Sequence, residues 1–174
     1  MNCLALISSI FSNFQKAKES RNSFTVTELV KALSSSKGQG VGAETGRRVH
    51  NFWGDPFEIA KREEYSSPFP LAYKLEDYWV YGIADLIRFR RCTPMEVIEV
   101  KSYEKYAKYE ILQVIFYSYL AYEAFMRSRK PMAFLVLGWN GRRFKKRVLV
   151  EWDPSTARCL LLRAIEKKRI KCKR

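Results

Sequence analysis

The sequence predicts an α/β fold in which helices flank a mixed central β-sheet. Three observations point there. Apolar positions recur at helical spacing near both ends and along one long central stretch. Alternating runs of strand length lie between them. The length suits one buried core: at 174 residues, 47% hydrophobic and 14% aromatic, the chain holds enough apolar surface for a single domain and excludes a disordered or low-complexity protein.

The elements follow in order. Residues 3–18 and 26–34 have helical periodicity, with Ser23 or Thr25 as a cap ahead of TVTELVKAL. Four glycines and three serines in SSSKGQGVGAETG (34–46) predict a loop. A third helix is expected from about Gly46 towards Glu64, and SSPFP (66–70) should end it, because proline removes a donor and biases its neighbour to extended backbone. Leu71–Leu75 and Trp79–Phe89 alternate around a Glu76-Asp77 turn, as a hairpin does, and Met95–Ser102 reads as a third strand. Residues 106–128 form the longest helical stretch. Met132–Trp139 is a continuous apolar run, and Asn140-Gly141 turns it into Phe144–Trp152. A last helix, capped by Asp153 or Ser155 with Pro154 in its first turn, runs into a basic tail. The expected organisation is one domain: an N-terminal helical region (1–45), a core (46–152), and a C-terminal helix and tail (153–174).

Charge limits the function classes. There are 32 Lys and Arg against 18 Asp and Glu, a net +14, which argues for a polyanionic partner. The surplus is uneven: residues 1–128 carry 17 basic and 15 acidic side chains, and residues 129–174 carry 15 and 3. The stripe RRFKKR (142–147) follows the Asn140-Gly141 turn, so Arg142, Arg143, Lys145 and Lys146 are candidate phosphate contacts. Cys3, Cys92, Cys159 and Cys172 show no regular spacing, which predicts free thiols in a reducing, cytoplasmic setting. The start MNCLALISSIFSNF lacks a basic n-region and a cleavage site, and no stretch reaches the ~18 apolar residues of a membrane span. No signal peptide and no membrane partner are expected.

Three charged residues interrupt segments that should be buried. Asp85 stands within YWVYGIADLIRF, and Glu99 and Lys101 within EVIEVKSY. Strand periodicity puts Glu99 and Lys101 on one face, with Val100 on the other. A buried carboxylate is costly without a partner, and a divalent cation would serve Asp85 and Glu99 together. Lys101 would then orient water or balance charge developing at a phosphate. Taken alone, the motif reads first as a structural ion pair of Asp85 with Lys101, with Glu99 reaching solvent at the strand end. Two features add weight. Gln113 and Tyr117 lie at i and i+4 on the apolar helix after the strand, so both can reach one place. His50, the single histidine, follows Arg47 and Arg48, which can hold a phosphate.

The succession His50, Gly82-Ile-Ala-Asp85, Glu99-Val-Lys101 and Gln113-Val-Ile-Phe-Tyr117 resembles the RecB-like branch of the PD-(D/E)XK nuclease superfamily, which includes CRISPR-associated RecB-like exonucleases. The match spans roughly residues 46–120 and implies a restriction-endonuclease-like core. It implies that His50, Asp85, Glu99 and the backbone carbonyl of Val100 ligate Mg²⁺ or Mn²⁺, and that Lys101 is catalytic. Gln113 and Tyr117 would fill the family's QxxxY motif, which positions DNA and the lysine. Many relatives hold an iron–sulfur cluster through four cysteines, one before the histidine and three after the QxxxY helix. Here Cys92 falls between the aspartate and glutamate motifs, so no cluster is expected.

The expected activity is metal-dependent DNA hydrolysis, foremost at single-stranded ends and next at flaps or internal sites. Tyr103, Tyr106, Tyr109, Tyr117, Tyr119 and Tyr122 crowd the strand exit and helix, where some rings can stack on bases and the rest must face the core. The same surface would equally serve a homo-oligomer. The rivals are a Holliday-junction resolvase or restriction-type endonuclease, which generally lack the His and QxxxY features, and a non-catalytic DNA-binding module whose acidic face is structural.

Overall fold

A computed structural model describes residues 2–34 and 57–172. In chain order the elements are α1 (Cys3–Glu19), β1 (Ser23–Thr25), α2 (Val26–Leu33), α3 (Glu58–Lys61), β2 (Glu64–Leu75), β3 (Tyr78–Arg90), β4 (Thr93–Val100), α4 (Lys108–Ala124), β5 (Met132–Leu137), β6 (Lys146–Val150) and α5 (Pro154–Cys172). The expected α/β class with a mixed sheet flanked by helices is what the chain adopts.

Side-chain chemistry sets the helix ends. Thr25 and Glu28 form a reciprocal capping box on α2: the Thr25 hydroxyl accepts the Glu28 N–H, and the Glu28 carboxylate accepts the Thr25 N–H. The Glu110 carboxylate accepts the Ala107 N–H at 2.8 Å and so caps α4. Asp153 caps α5 by accepting from the Thr156 N–H at 2.8 Å, with Pro154 at the first helical position.

Among the described residues the sheet has six strands, ordered β1-β3-β4-β5-β6, with β2 paired to β3. β1 runs parallel to β3 and β4 parallel to β5; the β2–β3, β3–β4 and β5–β6 pairs are antiparallel. The inner face packs against α4, whose Leu112, Phe116 and Leu120 join Phe69, Phe89 and Phe125 in the core. α1 covers part of the outer face, where Phe14 and Ala17 meet Ala72 and the ring of Tyr81.

Four expectations are corrected. The SSPFP segment lies inside β2 rather than ahead of it. β2 is an edge strand, so the amides that Pro68 and Pro70 lack are not missed on the outer row, and Pro68 falls at a register shift. The helix expected to reach Glu64 ends at Lys61, and Glu64 already pairs with Arg90. The N-terminal region is not purely helical, since β1 adds a strand to the sheet. Cys3 and Cys92 are joined in a disulfide that ties α1 to the β3–β4 turn across 89 positions. A separation that long leaves no spacing signal in the sequence. Cys159 is free and exposed, as expected.

Candidate active site

The site grows out of a local irregularity in β3. Ser67 pairs with Ile87 but Phe69 pairs with Ala84, so two steps along β2 match three along β3. That extra residue is a bulge, and it breaks the alternation so that Ala84 and Asp85 are both buried. On its other edge β3 pairs with β1 as far as Tyr81, then with β4 from Leu86 onward. The stretch Gly82–Asp85 lies in the gap between those two partners. Asp85 closes the gap through a side-chain bond: its Oδ2 accepts the Val100 N–H at 2.9 Å.

Glu99 sits opposite on β4 and is 2% exposed. Lys101 follows the strand end, with its backbone held to β5 by its N–H to the Val136 carbonyl and its carbonyl to the Trp139 N–H. Its Nζ lies 2.7 Å from Glu99 Oε1 and donates to Gln113 Oε1 at 3.1 Å. Gln113 therefore reaches across from α4 to aim the ammonium at the carboxylates. One turn later Tyr117 lays its ring against Gly82. A Cβ at position 82 would stand 2.8 Å from the Tyr117 hydroxyl oxygen and 2.9 Å from Cε1. The glycine is there because the ring is.

The electrostatics match this crowding. Burial, then the Asp85 carboxylate, pushes Glu99 up to about 8, because the charged form loses its water and faces a like charge. Burial alone would lower Lys101, but the carboxylates of Glu99 and Asp85 raise it, so the ammonium stays charged. Burial and the same two carboxylates hold Tyr117 well above the usual phenol range. Tyr117 keeps its proton and serves from beneath the strands.

The sequence-predicted residues thus divide into three groups. Asp85, Glu99, Lys101, Gln113 and Tyr117 come together, with Val100 between the two carboxylate positions. Tyr117, expected also to touch DNA, is 5% exposed, with its ring against Gly82. Arg142, Arg143, Lys145 and Lys146 are exposed on the loop and first residue of β6. Lys145 is ion-paired with Glu104, and Lys146 lies over the Tyr106 ring at 5.9 Å. Arg47, Arg48 and His50 lie outside the described residues. Among the tyrosines, Tyr109, Tyr117 and Tyr119 are buried and Tyr106 is exposed. Tyr103 donates to Glu110 at 2.6 Å and so supports the α4 cap.

Two further buried acidic residues were not singled out from the sequence. Glu110 is buried because it caps α4, and Glu96 because Arg88 and Arg147 hold it at 3.0 and 2.8 Å. An acid-to-cap spacing at Ala107–Glu110 could have flagged the first; the second needs the register of three strands.

Among the described residues, no group of three or more His, Cys, Asp and Glu gathers at one place; the acidic centre there is the Asp85–Glu99 pair. That pair fits a hard divalent cation: both donors are oxygens, both are buried, and they stand close enough for like-charge repulsion to raise one of them. No helix among the described residues is long and apolar enough to cross a membrane.

No protein-family model and no curated protein matches this chain. A solved structure, that of SSO0001, is similar to it at a TM-score of 0.49 and 16% identity, over 92% of this chain and 84% of that one.

Proposed function

We propose that this chain is a divalent-metal-dependent deoxyribonuclease. The observation that carries the reading is the convergence of Asp85, Glu99, Lys101 and Gln113, from two strands and a helix, on one buried point. A purely structural ion pair needs one acid and one base. Here the lysine pairs with Glu99 and is held by the Gln113 amide, and a second buried carboxylate, Asp85, stands beside them bonded to the Val100 N–H. Such a pair of buried acids, with Glu99 kept protonated by burial and its like-charged neighbour, suits a cation that would replace the proton better than it suits stability.

Asp85, Glu99 and the Val100 carbonyl would hold Mg²⁺ or Mn²⁺. When bound, the metal would polarise the phosphate and lower the pKa of a water. The chain's own groups do the rest. The bulge presents Asp85, and the Val100 N–H fixes one of its oxygens. Glu99 must shed its proton for the metal, which ties cation binding to pH. Lys101 stays cationic and stands where negative charge gathers on a phosphate under attack, a place where a preorganised donor contributes ~2.7–4 kcal/mol. Gln113 holds the lysine in that direction. Tyr117 seals the floor of the gap at Gly82 and keeps water from the rear.

The basic quarter supports DNA as the substrate, since Arg142, Arg143 and Lys146 are exposed on the loop before β6 and at its first residue. Attack on single-stranded ends is the leading form of the activity. The test uses single- and double-stranded oligonucleotides labelled at either end, incubated with Mn²⁺, Mg²⁺ or EDTA. Metal-dependent loss of full-length strand is expected, and the order of products gives the polarity. Intact DNA under every condition would overturn the reading.

A further inference from the structure

The outer face of the sheet carries a cleft of about 620 Å³ beside Asp85. Alternation along the strands explains it. Glu99, Leu135 and Val150 turn inward, so Ile98, Val100, Val136 and Arg147 turn outward. α1 covers this face over β2 and the first half of β3, and among the described residues none of the helices lies over β4–β6. The floor is apolar, made by Leu86, Ile98, Val100 and Val136; the rings of Tyr65, Trp139 and Phe144 stand around it.

We propose that this cleft receives one or two unpaired nucleobases of the strand being cleaved. The proposal rests on the nuclease reading and adds to it the part of the substrate that is recognised. Four observations select this occupant. Asp85 and Val100 line the cleft and also belong to the candidate active site, so a phosphate at the carboxylates leaves its neighbouring base at the cleft mouth. The Trp139 backbone is bonded to the Lys101 carbonyl, which fixes that ring close to the reacting group. A flat apolar floor edged by aromatic rings accepts the face of any base, without regard to sequence.

The fourth observation is charge. Arg147, which lines the cleft, lies 3.8 Å from the Phe134 ring centroid and with Arg88 is paired to Glu96. Phe144 stands 50% exposed between Arg143 and Lys145 on the loop before β6. Rings flanked by cations provide for bases and phosphates alternately, the repeat of a nucleic-acid strand.

The experiment measures binding by fluorescence anisotropy in EDTA, so cleavage plays no part in the readout. The probes are a labelled 12-nucleotide oligothymidylate and an abasic deoxyribose-phosphate oligomer of equal length. Wild type should bind the oligothymidylate about tenfold or more tightly over the abasic strand, in line with base–aromatic stacking. Phe144→Ala and Trp139→Ala should each lower that preference several-fold and leave abasic binding unchanged. Phe144 is exposed, so its variant folds even where the Trp139 one does not. Equal binding of both probes, or an unaltered preference in Phe144→Ala, would overturn the proposal. A wild-type dimer in sedimentation that Phe144→Ala dissociates would also overturn it, in favour of a second copy as occupant. Failure of the nuclease reading has a different signature: intact DNA with metal, whatever the base preference in EDTA.

Discussion

At the scale of single residues, the account turns on how tightly the site is packed. The Tyr117 ring fills the space a side chain at 82 would need, and the ring is buried, so it has nowhere to swing. Gly82→Ala should therefore destabilise by about 1–3 kcal/mol, the usual range for overpacking. In a Tyr117→Ala background most of that loss should vanish; additive losses in the double-mutant cycle would contradict the contact. Glu99 gives a second prediction. Its folded value of about 8 lies above the ordinary 4.5, so the folded protein holds a proton that the unfolded chain releases. The stability from this group is full below 4.5 and is lost as pH rises through about 8. Thermal melts of metal-free protein should fall across that window, and Glu99→Gln should flatten the slope; equal slopes would contradict it. The five residues that converge were legible in the sequence because each is a polar exception in an apolar segment. Glu96 was not, because its burial depends on Arg88 and Arg147, which only the register brings near, whereas Glu110 is held locally by its cap to Ala107.

At the scale of elements, the edge position of β2 and the bulge in β3 shape the site, and neither has a one-dimensional signature. The prolines at 68 and 70 read as a stop because sequence alone does not say that a strand will lie on an edge. The strands from Tyr78 to Val100, the long helix and the β5–β6 hairpin were legible because their apolar periods are long and clean. The Cys3–Cys92 bond was not, since a separation of 89 positions carries no pairing pattern. It closes a long loop, and its loss through Cys92→Ser should lower stability by about 2–4 kcal/mol. Reductant should bring wild type down to the same melting temperature and leave the variant unmoved. A wild-type melt indifferent to reductant would contradict the cross-link.

At the scale of the whole molecule, charge and chemistry occupy different places. The carboxylates and Lys101 are buried beneath the sheet edge, and the cations of the last quarter lie outside on a loop, a strand and α5. Affinity and rate should therefore separate. Replacing Arg142 and Arg143 with alanine should weaken binding to all DNA sequences alike and lower the slope of log affinity against log salt by about 2; an unchanged slope would place the strand elsewhere. The measurement that bears most directly on the central claim compares wild type with Lys101→Ala in two assays on one single-stranded oligonucleotide. One is the single-turnover cleavage rate with Mn²⁺, and the other is the dissociation constant in EDTA. The account predicts a rate lower by about 10²–10³-fold with affinity changed less than about twofold. A rate that falls only as far as affinity falls, or a wild type that binds and never cuts, would make Asp85, Glu99 and Lys101 a structural cluster in a DNA-binding fold.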